Sequence, residues 1–344
     1  FLLVASYVLN FESTAVGLSD LPSFIRPLFF IIVFLGLINL LTDLKLFYHK
    51  AVNFFGILSV FVFAYSVFEV FFFDYFGYVI NLLYRMEDKS NIDSVAVSFF
   101  SLPYNQAYVL SIMLPFLLSG MHLKKTFQSR FFVFSCISAI ILTQSKMGVV
   151  VAFLIIFIFY FLSFSRLNKI FILLFFSILV SLLAYFIIDI LRYLDSQIGG
   201  NFTRTSLLIF TNFEYAYNLT ERLRQIGISY DALMNLSVSP FVGYGLAKGL
   251  TLESWISYYM YRYGFLGLIF FVFFFLFSAF SLYKKSRLFK SVEYVELSKI
   301  SIIWLSFIFL TQLSGPMLEF SKSAFFSILM LAIVSILLVK KAGS

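Results

Sequence analysis

The sequence predicts an all-α protein that crosses a membrane many times. Hydrophobic residues make up 61% of its 344 residues and charged residues only 12%, and the mean hydropathy is +0.98. Soluble globular chains contain about 45–50% apolar and about 25% charged residues. The apolar runs are continuous and lack the alternation typical of a membrane β-barrel. We therefore expect a single helical membrane domain over residues 1–344.

Ten apolar segments predict about ten crossings. They span roughly residues 1–10, 27–42, 54–73, 104–121, 130–145, 147–165, 170–190, 264–283, 300–313 and 321–339. The chain begins at Phe1 inside an apolar run, so we expect further helices to precede it. The single cysteine, Cys136, rules out an intrachain disulfide.

The fifth and sixth segments need a turn between them. Residues 131–164 in one helix would measure about 51 Å, whereas the hydrocarbon core of a bilayer is about 30 Å thick. Their one polar break is Thr143-Gln144-Ser145-Lys146, so a helical hairpin should turn there. Lys146 would then lie at the membrane surface, either facing a polar cavity or extending its ammonium group to water.

The basic residues predict the orientation. One set of loops carries 14 basic and three acidic residues, and the other set carries 11 basic and 14 acidic residues. Cytoplasmic loops collect Lys and Arg, which assigns the first set to the cytoplasm and accounts for the net charge of +8 without a nucleic-acid partner. Three segments then face outward: residues 11–26, residues 74–103 with an expected surface helix, and the long loop 191–263.

The long outer loop carries the candidate chemistry. A helix is expected from Thr220 to about residue 236, with Arg222 and Arg224 near its start and roughly 200° apart. Guanidinium groups beside a helix N-terminus suit a phosphate or pyrophosphate. The alternative is that both arginines contact lipid headgroups or form surface ion pairs, for example with Glu221.

Further along the loop, Pro240, Gly243, Tyr244 and Gly245 form an expected tight turn. Glu253 precedes an aromatic stretch, 255–261, that reads as an interfacial helix hinged at 263–264. A carboxylate there suits a general base toward a sugar hydroxyl, although an acid near a helix start is also common for structural reasons.

The sequence lacks the residue patterns that metal-dependent and nucleotide-dependent enzymes need. His49 and His122 both lie in loops assigned to the cytoplasm, and no cluster has the spacing of metal ligands. The sequence has no Walker-type loop and no nucleotide-binding fingerprint. ATP and soluble sugar nucleotides are therefore not expected as substrates.

These stretches, in this order, resemble the superfamily of bacterial O-antigen ligases and Wzy-type O-antigen and capsule polysaccharide polymerases. The resemblance covers residues 130–285 and rests on Ser145-Lys146, the helix with Arg222 and Arg224, the turn Pro240/Gly243/Gly245, and the pair Gly264/Gly267. Lys146 stands where the family usually has Arg, and Glu253-Ser254 where ligases have His-Asn. The second departure favours a polymerase over a ligase.

The resemblance implies a glycosyltransferase of the GT-C type in the bacterial cytoplasmic (inner) membrane, with its active site facing the periplasm and without metal or nucleotide. It would join repeat units carried on undecaprenyl pyrophosphate, with a chain-length regulator and a flippase as further partners. The expected catalytic residues are Glu253, Arg224 and Arg222, with Asp231 a less favoured base. The expected pyrophosphate- or glycan-binding residues are Lys146, Arg204, Ser145, Asp231, Gly243, Tyr244, Gly245 and Tyr258.

Two other functions stay open from the sequence. The first is ligation of a glycan to lipid A core or another acceptor. The second is a flippase or other transporter of lipid-linked oligosaccharides that performs no chemistry. Transporters usually carry charged or broken helices at mid-membrane. Here Glu69 is the nearest such charge and the polar residues gather on one side, which favours an interfacial enzyme.

Overall fold

A computed structural model describes residues 21–72, 75, 95–100, 102–163, 166–197, 201–212, 215, 217–235, 239–245, 252–314 and 321–340. Every regular element among these residues is helical, and 88% helix confirms the all-α class. The α-helices are α1 Leu21–Leu40, α2 Leu44–Phe71, α3 Pro103–Lys124, α4 Phe127–Leu142, α5 Lys146–Ser163, α6 Arg166–Gln197, α7 Asn201–Thr211, α8 Tyr217–Met234, α9 Trp255–Ser286, α10 Val292–Thr311 and α11 Ser321–Val339.

Five of these helices are long and apolar enough to cross a membrane: α2, α3, α5, α9 and α10. Shorter apolar helices cover Ile25–Leu40, Phe127–Leu142 and Ser323–Val339. Each predicted apolar segment after residue 20 coincides with a helix, while segment 1–10 and the surface helix expected within 81–94 lie outside the described residues. The total of ten crossings therefore stays a prediction.

Helix α3 occupies the centre of the bundle. It packs against α2, α4, α5, α10 and α11. Of its most apolar 18-residue stretch, 83% is buried, against 22–33% for α2, α5 and α9. Helix α3 also has the lowest mean hydropathy of the five, 1.4, because a helix surrounded by other helices can bury polar side chains such as those of Gln106 and Ser111. Side chains near its N-terminal end, which begins at Pro103, can therefore contact several neighbouring helices.

The hairpin between α4 and α5 is confirmed. Helix α4 ends at Leu142, and Gln144 adopts a left-handed conformation with φ of 51°. The Ser145 hydroxyl then accepts a hydrogen bond from the Gly148 backbone N–H at 3.2 Å, which caps the start of α5. Lys146 is consequently the first residue of α5, at the same end of the bundle as the start of α3.

Three helix boundaries in the long loop differ from the sequence-based expectation. Helix α6 continues to Gln197, beyond the expected loop start at Leu191, and α8 begins at Tyr217 rather than Thr220 and ends at Met234. A change from apolar to polar residues indicates where a helix leaves the hydrocarbon core of the membrane. It does not indicate where the backbone hydrogen bonds of the helix end. The expected change of direction at residues 263–264 coincides with a break in α9, where Gly264 has φ of 65° and ψ of −171°.

Candidate active site

Four residues from four separate segments of the chain meet at one end of the bundle. Arg222 on α8 places its Nε 3.8 Å from the Oε2 of Glu253, which lies just before α9. Arg222 is also close enough to Lys146, at the start of α5, for their like charges to repel. Tyr104, in the first turn of α3, interacts electrostatically with both Arg222 and Glu253. We call Lys146, Arg222, Glu253 and Tyr104 the charged cluster.

The charged cluster is partly shielded from water. The Arg222 side chain is 25% exposed and the Glu253 side chain 52% exposed. Burial lowers the pKa of the Arg222 guanidinium, and the nearby Glu253 and Tyr104 act in the opposite direction. The buried Nε of Arg222 has no hydrogen-bond partner at 3.5 Å or less among the described residues. The cluster therefore holds a partly desolvated cation whose hydrogen-bonding capacity is incompletely used.

Glu253 is held in place through its backbone. Its N–H donates a 2.8 Å hydrogen bond to the side-chain oxygen of Gln225, one helical turn after Arg222 on α8. The amide nitrogen of Gln225 in turn donates to Glu221 at 3.3 Å. Gln225 is buried, with 6% exposure, so it fixes the height of Glu253 along α8. The Glu253 side chain is 52% exposed, so its carboxylate is accessible to a ligand.

Arg224 has a different environment from Arg222. Its Nε and NH2 groups donate to both oxygens of Glu221, at 2.7 and 2.6 Å, and its side chain is 63% exposed. This hydrogen bonding lowers the pKa of the Glu221 carboxyl. The ion pair with Glu221 is the alternative that the sequence left open for these arginines. Of the two, it is Arg222 that the structure brings to Lys146 and Glu253.

The turn at residues 239–245 inserts into the break of α9. A continuous helix would pair Phe265 N–H with Tyr261 C=O, and Leu266 N–H with Arg262 C=O. Instead the two carbonyls accept from the N–H groups of Tyr244 and Gly245, at 2.9 and 2.8 Å. The two N–H groups donate to the carbonyls of Pro240 and Phe241, at 3.0 and 3.1 Å. The break thus leaves no backbone group of this set unsatisfied.

Glycine is required where the turn and the helix cross. A Cβ on Gly243 would lie 2.5 Å from the Gly264 nitrogen, and a Cβ on Gly264 would lie 2.4 Å from the Phe241 carbonyl carbon and oxygen. Both glycines also have positive φ, 68° and 65°. The sequence indicated a close backbone approach at this turn, and the structure identifies α9 as its partner.

Tyr244 joins the turn to α8. Its ring stacks on that of Tyr261 with centroids 4.4 Å apart, and its hydroxyl donates to the Ala232 carbonyl at 3.1 Å. Met260 of α9 and Leu233 of α8 are buried against each other beside this contact. Helix α8 is therefore fixed to α9, and Arg222 is held at a defined height above the bundle.

Arg262 was not singled out by sequence reasoning, yet it is one of the most buried charged residues described, at 5% exposure. Its Nε donates to the Gly245 carbonyl at 2.9 Å and its NH1 to the Tyr258 hydroxyl. The guanidinium also lies 5.6 and 5.3 Å from the ring centroids of Tyr258 and Tyr263. Arg262 and Tyr258 thus stabilise the turn. The only sequence signal for this was an arginine within an aromatic interfacial stretch.

The remaining expected site residues have less defined surroundings. Arg204 lies on α7, which packs against α6, and its side chain is exposed. Asp231 is exposed on α8. Ser145 caps α5 beside Lys146, as described above.

Tyr104 was missed from the sequence, since it follows Pro103 at the start of an ordinary apolar helix. Within the described ranges, no group of three His, Cys, Asp or Glu residues could hold a metal ion.

Comparison of the chain with models of protein families, with curated proteins and with solved structures finds no match.

Proposed function

We propose that the protein is a glycosyltransferase of the bacterial cytoplasmic membrane that polymerises oligosaccharide repeat units carried on undecaprenyl pyrophosphate. One observation carries the proposal: the Arg222 guanidinium lies 3.8 Å from the Glu253 carboxylate, and Lys146 follows Ser145, which lines the same cleft as Tyr104. The resemblance of Ser145-Lys146, the α8 arginines and the glycine turn to O-antigen and capsule polymerases supports the same conclusion.

The electrostatics favour an anionic ligand. Two cations that repel each other in a partly desolvated place are costly unless an anion lies between them. Glu253 offsets one of the two charges and leaves the cluster net positive. A guanidinium binds phosphate oxygens with two parallel hydrogen bonds, and an ammonium adds a mobile point charge. A pyrophosphate linked to a membrane lipid fits this combination at the membrane surface.

The proposed reaction uses the cluster as follows. A hydroxyl oxygen of the acceptor sugar attacks the anomeric carbon of the donor glycan and forms the new glycosidic bond. The bond from that carbon to the pyrophosphate oxygen breaks, and undecaprenyl pyrophosphate leaves with the electron pair. Glu253 takes the hydroxyl proton, and Lys146 and Arg222 stabilise the negative charge that grows on the leaving oxygen.

The other charges of the chain support the proposed orientation. Lys284 and Lys285 lie in the last turn of α9, Arg287 and Lys290 follow it, and the charged cluster lies near the opposite end of the helix. Basic residues collect on the cytoplasmic side of membrane proteins. The cluster would then face the periplasm, where lipid-linked repeat units are joined.

Substitution of Lys146 tests the proposal. Lys146→Ala should remove long glycan from cells that depend on this protein and should cause single lipid-linked repeat units to accumulate. Loss of one such contact typically lowers the rate by about 10²–10³-fold. The matched control is Lys290→Ala, which removes an exposed lysine at the other end of α9. An unchanged glycan ladder in the Lys146 variant, at normal protein level, would contradict the proposal.

A further inference from the structure

Two lysines that are far apart in the sequence meet at one tyrosine ring. Lys45, in the first turn of α2, places its Nζ 5.9 Å from the ring centroid of Tyr294, and Lys340, directly after α11, places its Nζ 4.9 Å from the same centroid. Tyr294 is buried in the first turn of α10, a helix that packs against both α2 and α11. Both distances lie in the range of cation–π attraction, so one ring orients two ammonium groups. We call Lys45, Tyr294 and Lys340 the lysine cluster.

The ammonium groups of the lysine cluster keep their hydrogen-bonding capacity within the described part of the chain. Among those residues, neither Nζ donates a hydrogen bond and no carboxylate oxygen lies within 4.0 Å of it. Glu293 attracts Lys45 from a greater distance, but it forms its ion pair with His49, Oε1 to Nε2 at 3.5 Å. Asp43 uses its carboxylate to cap α2, accepting from the backbone N–H groups of Lys45 and Leu46. The two lysines therefore suit an anion supplied from outside the described residues.

The lysine cluster lies at the end of the bundle opposite to the charged cluster. Tyr48, three residues after Lys45 on α2, hydrogen-bonds to Ser119 near the end of α3, whereas the charged cluster lies at the start of α3. Leu46 and Val339, the chain neighbours of the two lysines, are 52% and 83% exposed. A free inorganic anion would leave these apolar side chains in water, whereas the acyl chains of a phospholipid would cover them.

We propose that the lysine cluster binds the phosphate of an anionic phospholipid. Basic residues between membrane helices suit such headgroups, and the flexible stems of Lys45 and Lys340 allow both ammonium groups to turn toward one phosphate. A zwitterionic lipid carries its own cation, which the two lysines would repel. The site should therefore prefer phosphatidylglycerol to phosphatidylcholine. This inference does not rest on the proposed function, because it uses no residue of the charged cluster.

The test measures lipid binding to the purified full chain in a non-ionic detergent by native mass spectrometry. The probes are phosphatidylglycerol and phosphatidylcholine with identical acyl chains, and inorganic phosphate is the competitor. Phosphatidylglycerol should bind at least about fivefold more tightly than phosphatidylcholine. Lys45→Gln and Lys340→Gln should each weaken phosphatidylglycerol binding about fivefold, the loss expected for one lysine near an anionic lipid, and leave phosphatidylcholine binding within about twofold.

Two further variants separate a built site from general surface charge. Lys284→Gln is the matched control, since Lys284 is an exposed lysine in the last turn of α9, with its Nζ 4.3 Å from the ring centroid of Phe280. It should keep the affinity for phosphatidylglycerol within about twofold. Glu293→Gln removes the carboxylate that attracts Lys45 and should tighten binding about two- to fivefold. Lys45 is exposed, so Lys45→Gln decides the matter if Lys340→Gln fails to fold.

Three results would overturn the lipid site. Equal affinity for the two lipids would show that the lysines do not recognise an anionic headgroup. A loss in Lys284→Gln as large as in Lys45→Gln would show a diffuse attraction to the whole basic surface. Displacement of phosphatidylglycerol by an equal concentration of inorganic phosphate would assign the lysines to a free anion. None of these results bears on the proposed function, which is tested at Lys146.

Discussion

The guanidinium Nε of Arg222 lies 3.8 Å from the carboxylate Oε2 of Glu253, although 30 residues of a polar loop separate them in the chain. The distance is too long for a hydrogen bond and short enough for strong electrostatic attraction. The two groups therefore attract each other without a direct hydrogen bond. An oxygen atom of a ligand can approach the guanidinium without displacing a tight ion pair.

The two arginines of α8 should differ in importance. Arg222→Ala should lower polymerisation by about 10²–10³-fold, because it removes a donor to the leaving group. Arg224→Ala should change it only a few-fold, because Arg224 forms an exposed pair with Glu221. Arg222→Lys should fall between wild type and Arg222→Ala, since it keeps the charge and loses the fork. Glycan chain length on gels is the measurement, and the reverse order would move the site to Arg224.

Glu253 should be needed for the chemical step and not for binding. Glu253→Gln keeps the shape but removes the base, so we expect turnover to fall by about 10²–10⁴-fold while donor affinity is retained. Asp189→Asn on α6, whose side chain is 74% exposed, is the matched control. Single-turnover rates with a purified donor and acceptor separate the two effects. Near-normal turnover in the Glu253 variant would assign the base elsewhere.

The crossing of the turn and α9 should not tolerate a side chain. Gly264→Ala must adopt φ of 65° and place a methyl group 2.4 Å from Phe241 backbone atoms, so we expect a loss of at least about 1–3 kcal/mol. Gly227→Ala on α8 meets no atom within 4 Å and should stabilise the helix by about 0.5–1 kcal/mol. Thermal unfolding in detergent compares them. Equal melting temperatures would show that the turn does not clasp α9.

Arg262 should contribute more to the free energy of unfolding than an exposed arginine that makes similar contacts. Arg262→Ala strands the buried Gly245 carbonyl and should cost about 2–3 kcal/mol. Arg287 also donates to a tyrosine hydroxyl, that of Tyr283 at 2.8 Å, but it is exposed. Its replacement by Ala should cost under about 1 kcal/mol. Thermal unfolding again serves as the readout, and a small loss for Arg262→Ala would deny it a structural role.

The orientation can be tested with introduced cysteines. Tyr230 on α8 and Leu288 after α9 are both exposed, at 46% and 55%, and the native Cys136 is fully buried and should stay silent. Tyr230→Cys should react with an impermeant thiol reagent in cells whose cytoplasmic membrane is intact and accessible, and Leu288→Cys only after that membrane is permeabilised. Labelling of residue 288 with protection of residue 230 would invert the topology.

Features fixed by length or by backbone geometry could be predicted from the sequence. The hairpin at 143–146 follows from a run too long for one crossing, and the break at Gly264 follows from a glycine between the interfacial aromatic stretch and the next apolar run. The turn at 240–245 was recognised as a place of close backbone approach. In each case a local physical constraint leaves few solutions.

Features that depend on how helices pack could not be predicted in the same way. Helical periodicity placed Arg222 and Arg224 on different faces, but it does not say which face meets α5. Tyr104 carries no local signal, since its role comes from the three elements that surround the start of α3. Arg262 resembles any interfacial arginine until the turn is seen to supply its carbonyl partner.

The break in α9 is stapled on both sides by the turn, so it acts as a rigid elbow and not as a hinge. Helix α8 is tied to that elbow through Tyr244 and therefore moves with α9. Lys146 and Tyr104 belong to other helices, α5 and α3. A helix that is mismatched to its bilayer tilts. When α9 tilts, Arg222 would move with it relative to Lys146. The distance between these two residues would therefore depend on the thickness of the bilayer.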